Sequence, residues 1–596
     1  MPRRGGAGTP PGSLAAKLLT VHSLELLPRS FVRVSGFNEL ERAIGAGGRI
    51  VAHSVPGARP TVIAGLATTS SRPLLVITAT GRESQDLTAA LRDLLGPHGI
   101  AELPAWETLP HERLSPRSDT VGTRLAVLRR LAHPDPSDPA HGPIRVLVAP
   151  IRTVLQPLAR GLGDLRPVSL HAGAEYPLER VVEELAAAAY TRTDLVERRG
   201  EFAVRGGILD VFPPTEDHPL RIEFWGDTVE EIRWFKVADQ RSLEVATHGL
   251  WAPPCRELLL TDEVRDRAAA LADRLPGVRE MLEKMAAGIA VEGMESFAPV
   301  LLDGMETLLD VIASDTIVVS ADPERVRLRA HDLVATSAEF LEAGWANAAA
   351  GNQVPIDLQD LLGASAFRTV LELHEQADEL GLSWIELTPF PSDTEDGAAI
   401  DLGTVVAPTF RGDTEAAVAS LRGWIDDRYA VVAVTEGHGL AARIREVLSD
   451  SGIPHRGPDG DLGDELAAGM VTILTGALGS GFVVPAHRLA VVTEADLTGS
   501  SGSGTSTKDM RRMPSRRRNQ VDPLQLRPGD HVVHEQHGVG RFVEMVQRTV
   551  QGATREYLVL EYAPSKRGQP GDRLYVPTDQ LDQVTRYVGG EQPTLN

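Results

Sequence analysis

The chain has 596 residues, more than one hydrophobic core organises, and at about 100–200 residues per domain this length predicts several domains. Its 42% hydrophobic and 24% charged residues are ordinary for globular proteins, which excludes wholesale disorder and collagen-like repeats. The formal net charge of −22 disfavours a surface that wraps nucleic acid on all sides, so only local basic segments remain as candidates for phosphate contact.

Cysteine content and hydropathy predict the compartment. The single cysteine, Cys255, excludes an internal disulfide and a thiolate zinc site. The amino terminus has no apolar signal segment, and no stretch reaches the roughly 18 apolar residues that a membrane-spanning helix needs. We therefore expect a cytoplasmic protein without a membrane partner.

Residues 1–152 are predicted to form the first part of an α/β core. A β-branched run at 72–80 precedes an amphipathic stretch at 83–95, and a second run at 144–150 precedes a helix that extends to about residue 160. A buried strand followed by a helix is the repeating unit of a parallel sheet.

Residues 153–250 are predicted to be a small inserted α+β domain. Residues 201–212 alternate apolar and polar side chains and break at Gly206-Gly207, and a second hairpin is expected around Gly226-Asp227. The α/β core is expected to resume at 251–350.

The last part of the chain is predicted to hold three further segments. A second α/β domain is expected at 354–498, with strands at 429–435 and 489–493. Residues 499–520 form a Gly/Ser-rich linker with clustered arginines, which either contact DNA phosphates or only keep the flanking domains soluble. Residues 521–596 have short strands and no long helix, which is typical of a small SH3/Tudor-like β-barrel.

The α/β core lacks a functional phosphate loop. The segment where one is expected contains Gly57, Gly65, Thr68 and Thr69 but no Gly-Lys-Ser/Thr, and the chain has no Gly-Lys pair. Without a lysine to balance the triphosphate charge, a structural turn is favoured over nucleotide binding. The sequence therefore predicts no catalytic residues and no cofactor in this chain.

The paired histidines His534 and His537 are the most visible candidate metal ligands. Zinc usually takes four ligands and no cysteine lies nearby, so a role in a strand and turn is favoured over a metal site.

An arginine cluster in the insert is the most informative surface feature. Arg192, Arg198, Arg199 and Arg205 lie close to Phe202 in the sequence, and arginines around an aromatic side chain are typical of protein-binding hot spots. A solvated charged face remains the alternative explanation.

The terminal barrel is predicted to bind protein rather than DNA. Residues 521–596 contain eight Lys plus Arg and ten Asp plus Glu, a nearly neutral balance. We expect the strand at 540–550 to pair with 555–562, with Phe542, Leu558 and Leu560 in the core and Arg541 and Arg548 exposed. An unpaired edge at 540–550 is expected to engage the partner.

Three segments resemble one protein family. YTRTDLVERRGEFAVRGGILDVFP (190–213) with RIEFWGDTVEEIRWF (221–235) resembles a signature shared by the excision-repair protein UvrB and the bacterial transcription-repair coupling factors (Mfd). LPAWETLPHERLSPRSDTVGTRLAVL (103–128) is similar to the coupling factors in particular, and the segment that begins LRPGDHVVHEQHGVGRF (526–542) to their CarD-like module. Their order along the chain makes the resemblance specific.

The resemblance implies a UvrB-like α/β core whose insert binds UvrA, followed by a module that binds the RNA polymerase β subunit. For UvrA it implies roles for Arg192, Arg199, Phe202 and Arg205; at Ala203, where UvrB has a further arginine, the sequence departs from the pattern. For the polymerase it points to the surface strand that carries Arg541, Val543, Met545 and Arg548.

The resemblance also predicts which activities lie elsewhere. The family's ATP- and magnesium-dependent DNA translocase, and most of its DNA contact, follow the polymerase-binding module, so we expect this chain to be an adaptor without enzymatic activity. The rival interpretations are a UvrB-like helicase subunit and a stand-alone CarD-like transcription regulator.

Overall fold

The computed structural model describes most of the chain. The chain consists of two compact units, and the boundary between them lies between Gly504 and Thr505. The described residues are 23–109, 111–138, 140–349, 355–358, 367–391, 393–394, 397–457, 465–499, 529–534, 538–550, 553–562, 573–577 and 584–586. Residues 1–22 and 500–528 lie outside this set, and so does all of the predicted linker (499–520) except Gly499.

All helices among the described residues belong to the first unit. In chain order they are α1 (Leu26–Phe31), α2 (Ser35–Ala46), α3 (Arg59–Thr69), α4 (Gly81–Leu95), α5 (Ser118–Ala132), α6 (Ile151–Leu155), α7 (Leu178–Ala187), α8 (Asp262–Ala272), α9 (Arg279–Ala286), α10 (Ala298–Leu301), α11 (Leu308–Val311), α12 (Pro323–Ala349), α13 (Val370–Glu379), α14 (Thr414–Asp426), α15 (His438–Asp450) and α16 (Glu494–Thr498). Short 3₁₀ turns lie at Ser23–Glu25, Pro56–Ala58, Leu162–Asp164, Pro276–Val278, Met294–Phe297 and Pro485–His487.

The strands of the first unit begin at residue 49. They are β1 (Arg49–His53), β2 (Leu74–Thr78), β3 (Ile100–Glu102), β4 (Val146–Pro150), β5 (Leu158–Ala159), β6 (Val168–Leu170), β7 (Thr191–Arg192), β8 (Glu201–Arg205), β9 (Ile208–Val211), β10 (Leu220–Trp225), β11 (Thr228–Phe235), β12 (Ser242–Val245), β13 (Leu250–Ala252), β14 (Met305–Glu306), β15 (Ile317–Ala321), β16 (Ser383–Thr388), β17 (Asp393–Thr394), β18 (Gly397–Ala398), β19 (Ile400–Asp401), β20 (Val405–Val406), β21 (Ala430–Thr435), β22 (His455–Arg456), β23 (Met470–Thr475), β24 (Phe482–Val484) and β25 (Leu489–Thr493).

A seven-stranded parallel sheet forms the centre of the first unit, in the order β19-β1-β16-β15-β2-β4-β3. The strands β2 and β4 of this sheet are almost entirely apolar, and every one of their residues is buried because helices cover both faces. This confirms the predicted α/β class and its parallel core.

The insert is a six-stranded sheet in the order β12-β11-β10-β9-β8-β7, antiparallel except for the pair β7–β8. Gly206 (φ +61°) and Gly226 (φ +60°) form the turns of its two hairpins, because each adopts the left-handed conformation that glycine tolerates best. Both hairpins agree with the sequence prediction. Helix α7 packs against one face through Val181 and Leu185.

A second sheet, in the order β20-β24-β25-β21-β23-β22, occupies residues 405–493. Its strands β21 and β25 coincide closely with the strands predicted at 429–435 and 489–493.

The expected boundary of this second domain at residue 354 is wrong. Strand β16 (Ser383–Thr388) lies in the first sheet between β1 and β15, and β19 forms an edge of that same sheet. Strand β16 is buried along its whole length although it contains Ser383, Glu386 and Thr388, so only its pairing reveals to which sheet it belongs.

The helix predicted to continue to residue 160 is also shorter than expected. Helix α6 ends at Leu155, and β5 begins at Leu158. Pro157 disfavours helical geometry in the preceding residue, and this explains the early end.

The second unit contains an antiparallel sheet in the order β29-β28-β27-β26-β30. Its strands are β26 (His531–His534), β27 (Gly538–Val550), β28 (Ala553–Glu561), β29 (Arg573–Pro577) and β30 (Val584–Arg586). The pairing of β27 with β28 was predicted, and so was the core of Phe542, Leu558 and Leu560, which are at most 4% exposed.

Candidate partner-binding surfaces

Two of the predicted arginines lie on the same edge of the insert sheet. Arg192 is exposed on the edge strand β7, where the neighbouring Thr193 N–H donates to Phe202 O (2.8 Å). Arg205 is exposed at the end of β8, and its Nη2 donates to Asp194 O (2.6 Å). Both guanidinium groups therefore reach solvent next to the strand that ends the sheet.

Arg199 is engaged within the chain. Its Nε donates to Glu216 O (2.9 Å), and its Nη2 lies 3.7 Å from a carboxylate oxygen of Asp217. The guanidinium also lies over the Phe212 ring, 5.2 Å from its centroid. These contacts fix the turn around residue 216 and leave about a third of the side chain exposed.

The predicted role of Phe202 at a partner surface is wrong for this structure. Phe202 is 1% exposed and packs in the core with Leu209 and Val181. Its neighbour Ala203 is buried in a small cluster on the opposite face of the sheet. Because both faces of β8 are covered, neither side chain is available to a partner.

An exposed aromatic residue that the sequence analysis did not select lies near Arg205. Trp225 is 77% exposed at the end of β10, and Ile208, at the start of β9, is 38% exposed. Phe224 N donates to Gly207 O (2.8 Å), so the tips of the two hairpins are adjacent. The sequence contains a signal for this exposure, because apolar and polar side chains alternate along β10. With Phe224 buried, the next residue, Trp225, points to the outward side of the strand.

The degenerate phosphate loop is filled by protein backbone. A Cβ atom on Gly57 would lie 2.5 Å from Gly481 O and 2.7 Å from Ser480 O, in the loop between β23 and β24. The next residues form helix α3, where Arg59 pairs with Asp322 (3.1 Å). The turn before α3 therefore packs against a loop of the second sheet and joins the two sheets of the first unit.

The remaining residues of this loop have structural partners as well. A Cβ atom on Gly65 would lie 2.9 Å from the Phe37 ring. The hydroxyl groups of Thr68 and Thr69 both donate to Gly65 O, at 2.7 and 3.2 Å. These four sequence-predicted positions thus belong to the interior and last turn of α3 and to the turn before it.

The predicted polymerase-binding residues lie along β27 in the second unit. Arg541 is exposed and pairs with Glu561 on β28. Val543 is the extra residue of a β-bulge, and as a result Met545 packs against the core and is only half exposed. Arg548 lies opposite Arg555 in the strand register.

The prediction that β27 is an unpaired edge strand is wrong in part. Residues 538–541 of β27 pair with β26, and residues 541–550 pair with β28. The outer strands of the described sheet are β29 and β30. A thirteen-residue strand gains more backbone hydrogen bonds in the middle of a sheet than at its edge, which explains its central position.

The candidate histidine pair is described only in part. His534 ends β26, as expected of a strand residue, and His537 lies outside the described residues. Within the described ranges, no group of three or more His, Cys, Asp or Glu side chains is arranged to hold a metal ion. None of the helices in these ranges has an apolar stretch that could span a bilayer.

Comparison with known proteins identifies two domains. Residues 168–253 match the UvrB interaction domain family, and residues 526–588 match the CarD-like/TRCF RID domain family. The first match covers the insert sheet, and the second covers the sheet of the second unit.

Relatives of the chain share one name. It is 50% identical over 543 residues to the transcription-repair-coupling factor of Mycobacterium bovis, covering 88% of this chain and 43% of that protein. It is 29% identical to the Myxococcus xanthus factor (93% of this chain, 47% of the other) and 26% identical to the Bacillus subtilis factor (90% and 45%). The chain thus spans less than half the length of the curated relatives it matches.

These findings confirm the resemblance seen in the sequence. The two domains occur in the expected order, and the similarity to the factors extends over most of this chain. The chain is therefore a relative of the transcription-repair-coupling factors, with a UvrB interaction domain in its first unit and a CarD-like/TRCF RID domain in its second.

Proposed function

We propose that this chain acts in transcription-coupled DNA repair as an adaptor: its second unit binds RNA polymerase through the β subunit, and its insert recruits UvrA. The observation that carries the proposal is the presence of both domain families in one chain, at 168–253 and 526–588. The name shared by its relatives supports the same role.

The exposed edge of the insert supplies the chemistry for a protein partner. Arg192 and Arg205 offer charged donors next to the edge strand, and the 77% exposed Trp225 adds a large apolar surface nearby. Arginine and tryptophan are enriched among residues that dominate binding energy. The proposed UvrA contact therefore centres on these three side chains, with an acidic patch on the partner.

The test replaces Arg192 and Arg205 singly with alanine in the full chain. Each change should weaken UvrA binding by about 2 kcal/mol, or roughly 30-fold, because a charge-assisted hydrogen bond is lost at a desolvated contact. Arg241→Ala is the matched control, since Arg241 is also exposed but lies next to β12 at the other side of the sheet. Undiminished UvrA binding by both variants, with unchanged thermal stability, contradicts the assignment.

A second test addresses the polymerase contact. Arg548→Glu reverses a charge on the part of β27 that pairs only with β28 among the described strands. We expect weaker binding to purified polymerase at moderate salt, with the sheet preserved. If the variant binds as well as the parent chain, the contact lies on another strand, with β29 and β30 as the next candidates.

We further propose that this chain neither binds ATP tightly nor hydrolyses it. The absence of Gly-Lys-Ser/Thr from the sequence and the backbone packed on Gly57 support this proposal. Calorimetry with ATP and magnesium should show no saturable micromolar binding. Stoichiometric binding, or DNA-stimulated hydrolysis, would instead favour the UvrB-like helicase.

One bridging assay separates the adaptor from the transcription regulator. Immobilised polymerase should retain UvrA only when this chain is present, and the double variant Arg192→Ala/Arg205→Ala should abolish UvrA retention while leaving the chain bound. If the parent chain binds the immobilised polymerase but retains no UvrA, the result favours a transcription regulator that uses the second unit alone.

A further inference from the structure

A cavity of about 350 Å³ lies in the first unit, away from the insert edge and the degenerate phosphate loop. It is bounded by the end of α6, the helical segment around α10, and the middle of α12. The lining residues on which the argument depends are Trp106, His111, Gln156, Glu257, Glu295 and Phe367. Its volume is in the range of small-molecule sites in proteins.

Two deeply buried polar groups face this cavity without a partner among the described residues. Gln156 is 3% exposed and its Oε1 accepts no hydrogen bond, and His111 is 8% exposed and its Nε2 makes none. Leaving such a group unsatisfied in the interior is destabilising, because it loses the hydrogen bond that it makes to water in the unfolded chain. Both positions are therefore prepared to bind a complementary polar atom.

The charges around the cavity exclude an anionic ligand. None of the described residues that line it is Lys or Arg. Three acids line it: the buried Glu257 accepts a hydrogen bond from Arg124 (2.6 Å), the buried Glu295 accepts one from Arg256 (2.9 Å), and the half-buried Asp357 accepts one from Trp345 Nε1 (3.0 Å). A phosphate or carboxylate group would meet these acids and no free cation, so nucleotides do not fit this site.

The imidazole of His111 does not supply a positive charge either. Burial lowers the pKa of His111 to about 4, so the ring is neutral near pH 7 and offers either a donor or an acceptor at Nε2. The rest of the lining is mainly apolar, including the Phe367 ring and Pro299. The cavity therefore combines an apolar wall with two neutral polar groups, Gln156 and His111, and with carboxylates that already accept hydrogen bonds from other residues of the chain.

We propose that this cavity binds an uncharged, largely apolar small molecule that donates an N–H or O–H group to Gln156 Oε1. The donor satisfies the buried amide oxygen, and the apolar body of the molecule packs against the aromatic and aliphatic wall. A cavity that holds only water is the competing explanation, since water also satisfies buried polar atoms.

The test uses indole as the probe and benzothiophene as a matched ligand of similar shape that lacks the N–H donor. Binding to the full chain is followed by ligand-observed NMR and calorimetry. Indole should bind saturably and about tenfold more tightly than benzothiophene, because one net hydrogen bond is worth about 1 kcal/mol or slightly more. Saturable binding of neither compound overturns the proposal in favour of a water-filled cavity.

Two kinds of variant locate the site. Gln156→Met keeps the volume and removes the acceptor, so it should erase the preference for indole. Ala298→Phe, at a buried lining position on α10, should abolish binding of both compounds; Ser337→Phe on α12 serves if the first variant fails to fold. An indole preference that survives Gln156→Met, or binding that survives a folded filling variant, contradicts the proposal.

Discussion

His111 links the stability of the first unit to pH. Burial lowers its pKa from 6.5 to about 4, so the unfolded chain takes up a proton at a pH where the folded chain does not. The contribution of His111 to the free energy of unfolding is fully present above pH 6.5, and it is lost as the pH falls from 6.5 towards 4. The loss is on the order of 3 kcal/mol.

Chemical denaturation of His111→Asn and the parent chain between pH 4 and 8 tests this prediction. The variant should show a flatter decline in unfolding free energy below pH 6.5. His331→Asn is the control, because the His331 side chain is 81% exposed, and its profile should follow that of the parent. Identical profiles for all three proteins would show that His111 does not carry the effect.

Gly57 is required for the contact between the two sheets of the first unit. Gly57→Ala places a Cβ atom 2.5 Å from Gly481 O, a backbone atom that cannot turn away as a side chain does. We expect a loss of about 2 kcal/mol or more in unfolding free energy. Gly45→Ala in helix α2 is the control: apart from the backbone of the helix itself and the adjacent residues, no atom lies within 4 Å of its added Cβ, so the change should be neutral or stabilising by up to about 1 kcal/mol.

The exposed and buried aromatic residues of the insert show what sequence can establish at the scale of a residue. Alternation along a strand predicts that Phe224 and Trp225 point to opposite sides, and the structure agrees. It does not predict that α7 covers one face of the sheet and a second cluster covers part of the other. Phe202 is for this reason a core residue, although its arginine-rich neighbourhood resembles a binding surface.

At the scale of the element, the start of helix α16 is bonded to the loop between β23 and β24. The Asp496 carboxylate in α16 accepts hydrogen bonds from the N–H groups of Gly481 and Thr493 and from the Thr493 hydroxyl, each at 2.8 Å. Asp496 is 6% exposed, so water does not replace a lost contact. This capping box therefore also fixes the loop that packs against Gly57.

Asp496→Ala should destabilise the chain by about 2–4 kcal/mol, because three buried donors lose a charged acceptor. Glu372→Ala is the matched control in the capping box of α13, where Thr369 N donates to an exposed Glu372 carboxylate (2.7 Å). That change should cost only about 1 kcal/mol or less. Thermal or urea unfolding measures the stability of both variants. Equal losses of unfolding free energy would show that the burial of Asp496 does not increase its contribution.

Element boundaries follow the sequence where a strong local signal exists. The glycine turns of the insert and the strand Leu489–Thr493 coincide with their predicted positions. The bulge at Val543 has no such signal, and it shifts the alternation so that Met545 contacts the core. Pairing between strands decides these cases, and pairing depends on residues far away in the sequence.

At the scale of the whole molecule, the two sheets of the first unit share a hydrophobic core. Phe482 and Leu474 of the second sheet belong to one buried cluster with Phe31 and Val319. The Phe482 ring meets the Phe31 ring edge to face, with centroids 5.9 Å apart. A cut at residue 354 would also remove β16 from the centre of the first sheet, so such a fragment is not expected to fold.

The shared core predicts that both sheets unfold together. Phe482→Ala should lower the free energy of unfolding by about 3–5 kcal/mol, because it removes a fully buried ring from the common cluster. Native-state hydrogen exchange should show the same loss of protection in β15 of the first sheet as in β21 of the second, since a cooperative unit opens as a whole. Leu371→Ala, at a position 66% exposed on α13, should leave both strands unchanged. A loss of protection confined to β21 would show that the second sheet opens alone, and the boundary between independent folding units would then lie after β19.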